Sequence, residues 1–227
     1  MVGERLVIVD AQRRMAAEIL PMVLALLEPC GETVTVCIAG ESGSGKSGLA
    51  VCLSETLIQR DLEVVILAQD DYFRLPPRTN HDSRRTDISQ VGPKEVRLDL
   101  LDEHIHRLVQ NTGQPLLKPL VCFEENQIEQ EMLPAGKLDV IIVEGTYTSL
   151  LLNVDLRIFI DRSYRTTRTA RRLRSRDVSE SFTERVLQKE HQLISEHRKL
   201  ADIIVRQGRK REETCYNSAT LMVRNQN

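Results

Sequence analysis

Residues 40 to 47, Gly40-Glu41-Ser42-Gly43-Ser44-Gly45-Lys46-Ser47, fit the pattern G-x-x-x-x-G-K-[ST]. Glycines at this density let successive backbone N–H groups curl around an anion with no Cβ in the way. A helix opening at Lys46 would aim its N-terminal dipole at the same point. The Lys46 amine would then reach the β- and γ-phosphates of a nucleotide, and the Ser47 hydroxyl would ligate Mg²⁺. Gly40, Ser42, Gly43, Ser44, Gly45, Lys46, Ser47 and Gly48 are the expected phosphate-binding residues. The competing reading is an ordinary Gly/Ser turn, and it accounts for neither the apolar run before the loop nor the one after it. The loop does not name a reaction, and the N-K-x-D guanine-reading motif of GTPases is absent.

Three further groups could work on such a ligand. "VVILAQDDYF" puts Asp70 and Asp71 just past an apolar run, and "DVIIVEG" puts Glu144 at the tip of another. Glu144 reads as a metal-holding acid of the Walker-B type. Either Asp70 or Asp71 could take a proton from an attacking hydroxyl; both could equally be turn residues, and spacing does not separate them. Seven arginines lie between Arg162 and Arg176. On a helix Arg165, Arg168 and Arg172 share a face, where guanidinium forks could close over phosphate oxygens. A solvated basic helix paired with Asp177, Glu180 and Glu184 is the alternative.

These groups need a scaffold. "VTVCIA" (34–39), "LEVVILAQ" (62–69), "LDVIIVEG" (138–145), "VDLRIFID" (154–161) and "ADIIV" (201–205) read as buried strands. Helical patterns at 11–27, 46–59, 94–109, 162–175 and 182–199 lie among them, and strands separated by helices predict a parallel α/β sheet. A short strand is expected at 5–9 and a hairpin or extension near 118–133. Residues 70–93 read as a long irregular functional loop. The chain is expected to form one domain over 1–227, with its core at about 33–206, an N-terminal extension at 1–30 and a C-terminal tail at 207–227. Those ends either pack on the sheet or form a contact between copies in a homo-oligomer.

Composition bounds the rest. The 227 residues are 41% hydrophobic and 28% charged, with a net charge of −2 and no Trp. That balance argues against nucleic-acid or anionic-membrane partners. Five scattered cysteines without a C-x-x-C pair read as thiols of a reducing compartment. The longest apolar run, "ILPMVLALL", is too short to span a bilayer. A cytoplasmic protein with no signal peptide is expected.

With these residues in place the chain resembles the uridine kinase/phosphoribulokinase family of P-loop kinases over about 33–206. "QDDYFR", "DVIIVEGTYT", "RTARRLRSRD" and "HRKLADIIV" are similar to that family's motifs after the second strand, at the third strand, in the lid helix and at the closing strand. The resemblance implies a five-stranded parallel sheet ordered 2-3-1-4-5 with helices on both faces. It also implies an arginine-rich lid helix over ATP, and Mg²⁺ near Ser47, Asp70 and Glu144. It places the catalytic acid on Asp70, with Lys46 and Arg172 beside it, and phosphate-contacting arginines at Arg168, Arg172 and Arg176. Phe73, Arg85 and Asp87, with Asp70, fall on the acceptor side. The implied activity is transfer of the γ-phosphoryl of ATP to a hydroxyl of a small metabolite, with uridine or cytidine first. Pentose phosphate, pantothenate, glycerate, or a non-catalytic nucleotide-dependent module are the alternatives. The acceptor segments depart from the family: "TNHDSRRTDISQVGPKEVRLDLL" and "VCFEENQIE" replace its usual nucleoside-binding stretches. Arg84 and Arg85 could fit an anionic acceptor or be plain surface charge.

Overall fold

A computed structural model describes residues 6, 8–28, 31–133, 135–167, 180–206 and 213–216. The middle of the sheet is β1 (Val34–Gly40), whose seven residues are all buried. Its β-branched side chains alternate between two covered faces, as expected for a strand with parallel neighbours on both sides. On one side it pairs in parallel with β5 (Val140–Gly145), and β5 pairs in parallel with β2 (Val64–Ala68). On the other side β1 pairs with β6 (Leu156–Ile160), and β6 with β7 (Ile203–Arg206). The five parallel strands thus stand in the expected 2-3-1-4-5 order. A sixth strand was not anticipated: β8 (Glu213–Tyr216), within the segment read as a tail, pairs antiparallel with β7. The strand β3 (Leu116–Cys122) forms a separate antiparallel hairpin with β4 (Gln127–Leu133), one of the two forms expected there.

The alternation of β1 divides the core in two. Val36 and Ile38 face a cluster built with α1 (Asp10–Leu27) and α2 (Lys46–Ile58), which contribute Met15, Ile19, Val23, Leu49, Leu53 and Leu57. Cys37 and Ala39 face a second cluster with Tyr72, Leu101 and Ile105, the latter two from α4 (Leu98–Gln110), and Ile194 from α5 (Glu180–Ile194). Helix α1 therefore packs on the sheet; each fully buried Ile or Val adds about 1.5–3 kcal/mol. The strand expected at 5–9 is not formed by Leu6, Ile8 or Val9.

Residues 70–93 also differ from expectation. A short 3-10 turn at Gln69–Tyr72 leads to a ten-residue helix, α3 (Pro77–Thr86), and two further 3-10 turns at Ile88–Gln90 and Pro93–Glu95. Pro77 suits a first helical position because its missing N–H has no helical partner there. Asn80 is the buried residue of this helix, so no apolar period exposed it in the sequence. Of the proposed helix at 162–175, residues 162–167 form turn and coil, and the remainder lies outside the described residues.

Candidate active site

The glycine-rich loop joins β1 to α2 at the carboxyl end of the sheet, where open α/β folds place their ligands. Gly40 has φ +151°, and a Cβ there would come within 2.9 Å of the Ile160 carbonyl oxygen. Gly43 and Gly45 have φ +75° and +104°, values that side chains rarely adopt. The first-turn N–H groups of α2 have no carbonyl four residues back within the helix, which suits a helix N-terminus to an anion. The Lys46 amine folds back over the loop and donates to the Glu41 carbonyl oxygen at 3.0 Å. Ser47 Oγ donates to Glu144 Oε1 at 2.9 Å, from the neighbouring strand tip.

Three contacts brace the loop from outside. Gln12 of α1 donates to the Gly45 carbonyl at 3.1 Å and accepts from the Val9 N–H at 2.8 Å. Its amide fills the space over Gly48, where a Cβ would lie 2.0 Å from Gln12 Nε2. The Glu41 carboxylate accepts from the Tyr164 N–H at 2.6 Å and meets His191 Nδ1 at 2.7 Å. Thr167 Oγ1 donates to the Ser42 carbonyl at 3.1 Å. The loop is thereby tied both to α5 and to the segment that enters the arginine run.

Beside the loop lies a cleft of about 240 Å³, lined by Lys46, Ser47, Asp70 and Glu144 among others. The 3-10 turn after β2 separates the paired aspartates. Asp71 is buried, accepting from Lys118 Nζ and from the Val121 N–H, each at 3.1 Å. It anchors the β3–β4 hairpin, while Asp70 lines the cleft. Gln69, one residue earlier, packs against Gly145, where a Cβ would approach Gln69 Cβ to 2.3 Å. Its Oε1 accepts from the Tyr147 N–H at 2.6 Å, so the glycine after Glu144 sets how closely the two strand ends approach.

The rest of the lining includes Phe73, Leu75, Asn80, Arg84, Phe123 and Glu190. Of the residues expected on the acceptor side, Asp70 and Phe73 are in this wall. Arg85 is exposed, its guanidinium 5.9 Å from the Phe182 ring. Asp87 is exposed too: its carboxylate accepts from Ser89 N, Ser89 Oγ and Gln90 Nε2, which hold its pKa down. Neither lines the cleft. Arg168, Arg172 and Arg176 lie outside the described residues. Sequence reasoning missed Asn80, Phe123 and Glu190. For Glu190 a signal existed: it stands four residues after Val186, three after Leu187 and four before Ile194, all buried, which puts it on the covered face of α5. Burial pushes its carboxyl's pKa up, with Arg84 pulling the other way.

Residues 35–212 match the phosphoribulokinase/uridine kinase family. The chain belongs to that family. Among its relatives, the uridine kinase of Shewanella piezotolerans is 32% identical over 196 residues, 79% of this chain and 90% of that protein. The bifunctional alpha-galactosidase/sucrose kinase of Mediterraneibacter gnavus is 28% identical over 186 residues, 76% of this chain but 20% of that protein. A solved structure of a possible uridine kinase from Bacillus stearothermophilus superimposes with a TM-score of 0.57 at 18% identity, covering 84% of this chain and 98% of that one. The fold is therefore that of the P-loop kinases. Membership in this kinase family fits a kinase that acts on a small molecule. No helix among the described residues is long and apolar enough to cross a membrane.

The donor set also fits a magnesium–nucleotide pair. A hydroxyl and two carboxylates offer hard oxygens, and an ion that keeps waters and phosphate oxygens needs few protein ligands.

Proposed function

We propose that the chain transfers the γ-phosphoryl group of ATP to a hydroxyl of a small metabolite, with Asp70 as the base. The observation that carries this reading is that Lys46, Ser47, Asp70 and Glu144 line one cleft. The loop amides and Lys46 hold the triphosphate and fix its position, which converts an encounter into an aligned attack. Ser47, Glu144 and Asp70 are the residues that would hold Mg²⁺, which when bound offsets phosphate charge. Asp70 accepts the hydroxyl proton as the acceptor oxygen forms its bond to the γ-phosphorus. The bond from that phosphorus to the β–γ bridging oxygen breaks, and ADP leaves. Arg172, with Arg168 and Arg176, would cover the transferring group, stabilise its charge and exclude water.

A pyrimidine nucleoside is the first acceptor to try, since a uridine kinase shares 32% of the aligned residues. The altered acceptor segments make a panel necessary. Purified chain with ATP and Mg²⁺ is offered nucleosides, sugars, pantothenate and glycerate while ADP is followed. Acceptor-dependent ADP release is the expected result. Release indifferent to every acceptor would remove the kinase reading.

A further inference from the structure

The charged groups facing the acceptor are unevenly committed. Among the described residues lining the cleft the cations are Lys46 and Arg84, and the anions are Asp70, Glu144 and Glu190. Arg84 is taken. Its Nε and Nη2 make a two-pronged pair with Glu95 at 2.5 and 2.9 Å, with side chains only 16% and 4% exposed. Glu95 is itself held by the Gly92 N–H at 2.9 Å. The same guanidinium stacks 5.7 Å from the Phe73 ring centre, and its Nη2 lies 3.7 Å from Glu190 Oε1.

Two buried carboxylates therefore share one arginine. A phosphate or carboxylate on the acceptor would compete with Glu95 and Glu190 for the charge of Arg84, and displacing Glu95 would strand a buried anion; breaking such a pair is costly. It would also sit beside Glu190, whose burial already disfavours negative charge. A hydroxyl has no such conflict, because it donates to a carboxylate and adds no charge. Asn80, 9% exposed on α3, supplies both a donor and acceptors in the same wall. Phe73, Leu75 and Phe123 give the apolar surface that a sugar ring's C–H face covers.

We propose that the acceptor is an uncharged polyhydroxylated molecule held through its hydroxyls by Glu190 and Asn80, and that the Arg84–Glu95–Glu190 cluster rejects acceptors bearing a phosphate or carboxylate. This rests on the phosphotransferase reading of the cleft and narrows it. Glu190 is here a specificity-determining residue, and Glu95 acts through Arg84 as a positioning residue.

The test uses matched probes: ribose and ribose 5-phosphate, glycerol and glycerate, uridine and uridine 5′-monophosphate. Each is measured for ADP release with ATP–Mg²⁺ and for binding by calorimetry with a non-hydrolysable ATP analogue. At least one neutral member is expected to be phosphorylated with kcat/KM about a hundredfold above its anionic partner. Glu190→Gln should raise KM for that acceptor about tenfold with a smaller change in kcat. Glu95→Gln, which releases Arg84, should narrow the neutral-to-anionic ratio, and melting curves will show that both variants fold. An anionic probe turned over better than its neutral partner overturns the proposal and leaves the kinase reading intact. Neutral probes that bind but are never phosphorylated keep the acceptor assignment and remove the kinase reading. Failure of every neutral probe to bind overturns the proposal.

Discussion

Asp70 and Asp71 are neighbours of the same chemistry, and the structure gives them opposite surroundings, so their amide variants should fail in opposite ways. Asp71→Asn removes the carboxylate that pairs with Lys118 at 3.1 Å, where the two side chains are 3% and 5% exposed. Breaking a buried pair costs about 3–5 kcal/mol. Lys118 keeps a second partner, Glu131 at 2.7 Å, but that carboxylate is 45% exposed, so it screens the loss only in part. The low end, about 3 kcal/mol, is expected. For a chain of this size that is a fall in Tm of about 6–12 °C. Turnover measured well below the melting range should change little. Asp70→Asn removes a group lining the cleft, so its melting curve should stay near the parent's. It should lower kcat about 10²-fold or more, equivalent to about 2.7 kcal/mol or more of barrier, with ATP affinity within a few-fold. Paired thermal melts and ADP-release rates decide the matter. If Asp71→Asn loses turnover without losing stability, and Asp70→Asn does the reverse, the assignment of the base is wrong.

Other outcomes follow from the same geometry. Lys46→Ala should abolish phosphoryl transfer while its circular dichroism stays that of the parent, since among the described residues its amine bonds within the loop's own turn. Gly48→Ala drives a Cβ into the Gln12 amide at 2.0 Å; it should lower both Tm and ATP affinity, and pairing it with Gln12→Ala should restore part of each. Glu190→Gln should be stabilising at neutral pH. An acid whose pKa is raised by folding contributes most below its unfolded value, and that contribution is lost as pH climbs through the raised one. The Tm gain of Glu190→Gln should therefore grow from about pH 4, near the unfolded pKa of a glutamate, toward neutrality. A gain that instead shrinks over that range would contradict the burial argument.

How much of this was readable beforehand depended on whether a residue's role is local. The five parallel strands declared themselves by continuous apolar, β-branched runs, and the nucleotide loop by its glycine spacing, because both are short-range constraints. The split between Asp70 and Asp71 was set by Lys118 and by the Val121 N–H, about fifty positions away, so no local pattern carried it. Helix α3 escaped because Asn80 is its buried residue and there is no apolar face to give a period. The family resemblance put Asp87 on the acceptor side, yet its carboxylate caps its own turn. Glu190 was overlooked because an acid in a charged helix passes for a surface residue unless its phase against Val186 and Ile194 is counted.

Gln12 and Gly48 are separated by a whole strand of chain, yet one occupies the volume the other's missing methyl would claim. A change at one position alters what the other can hold. Across a broad collection of related chains the two columns should covary: where the glutamine is exchanged for something smaller, alanine or serine should become more frequent after the lysine–serine pair, and where it persists, glycine should be favoured with it.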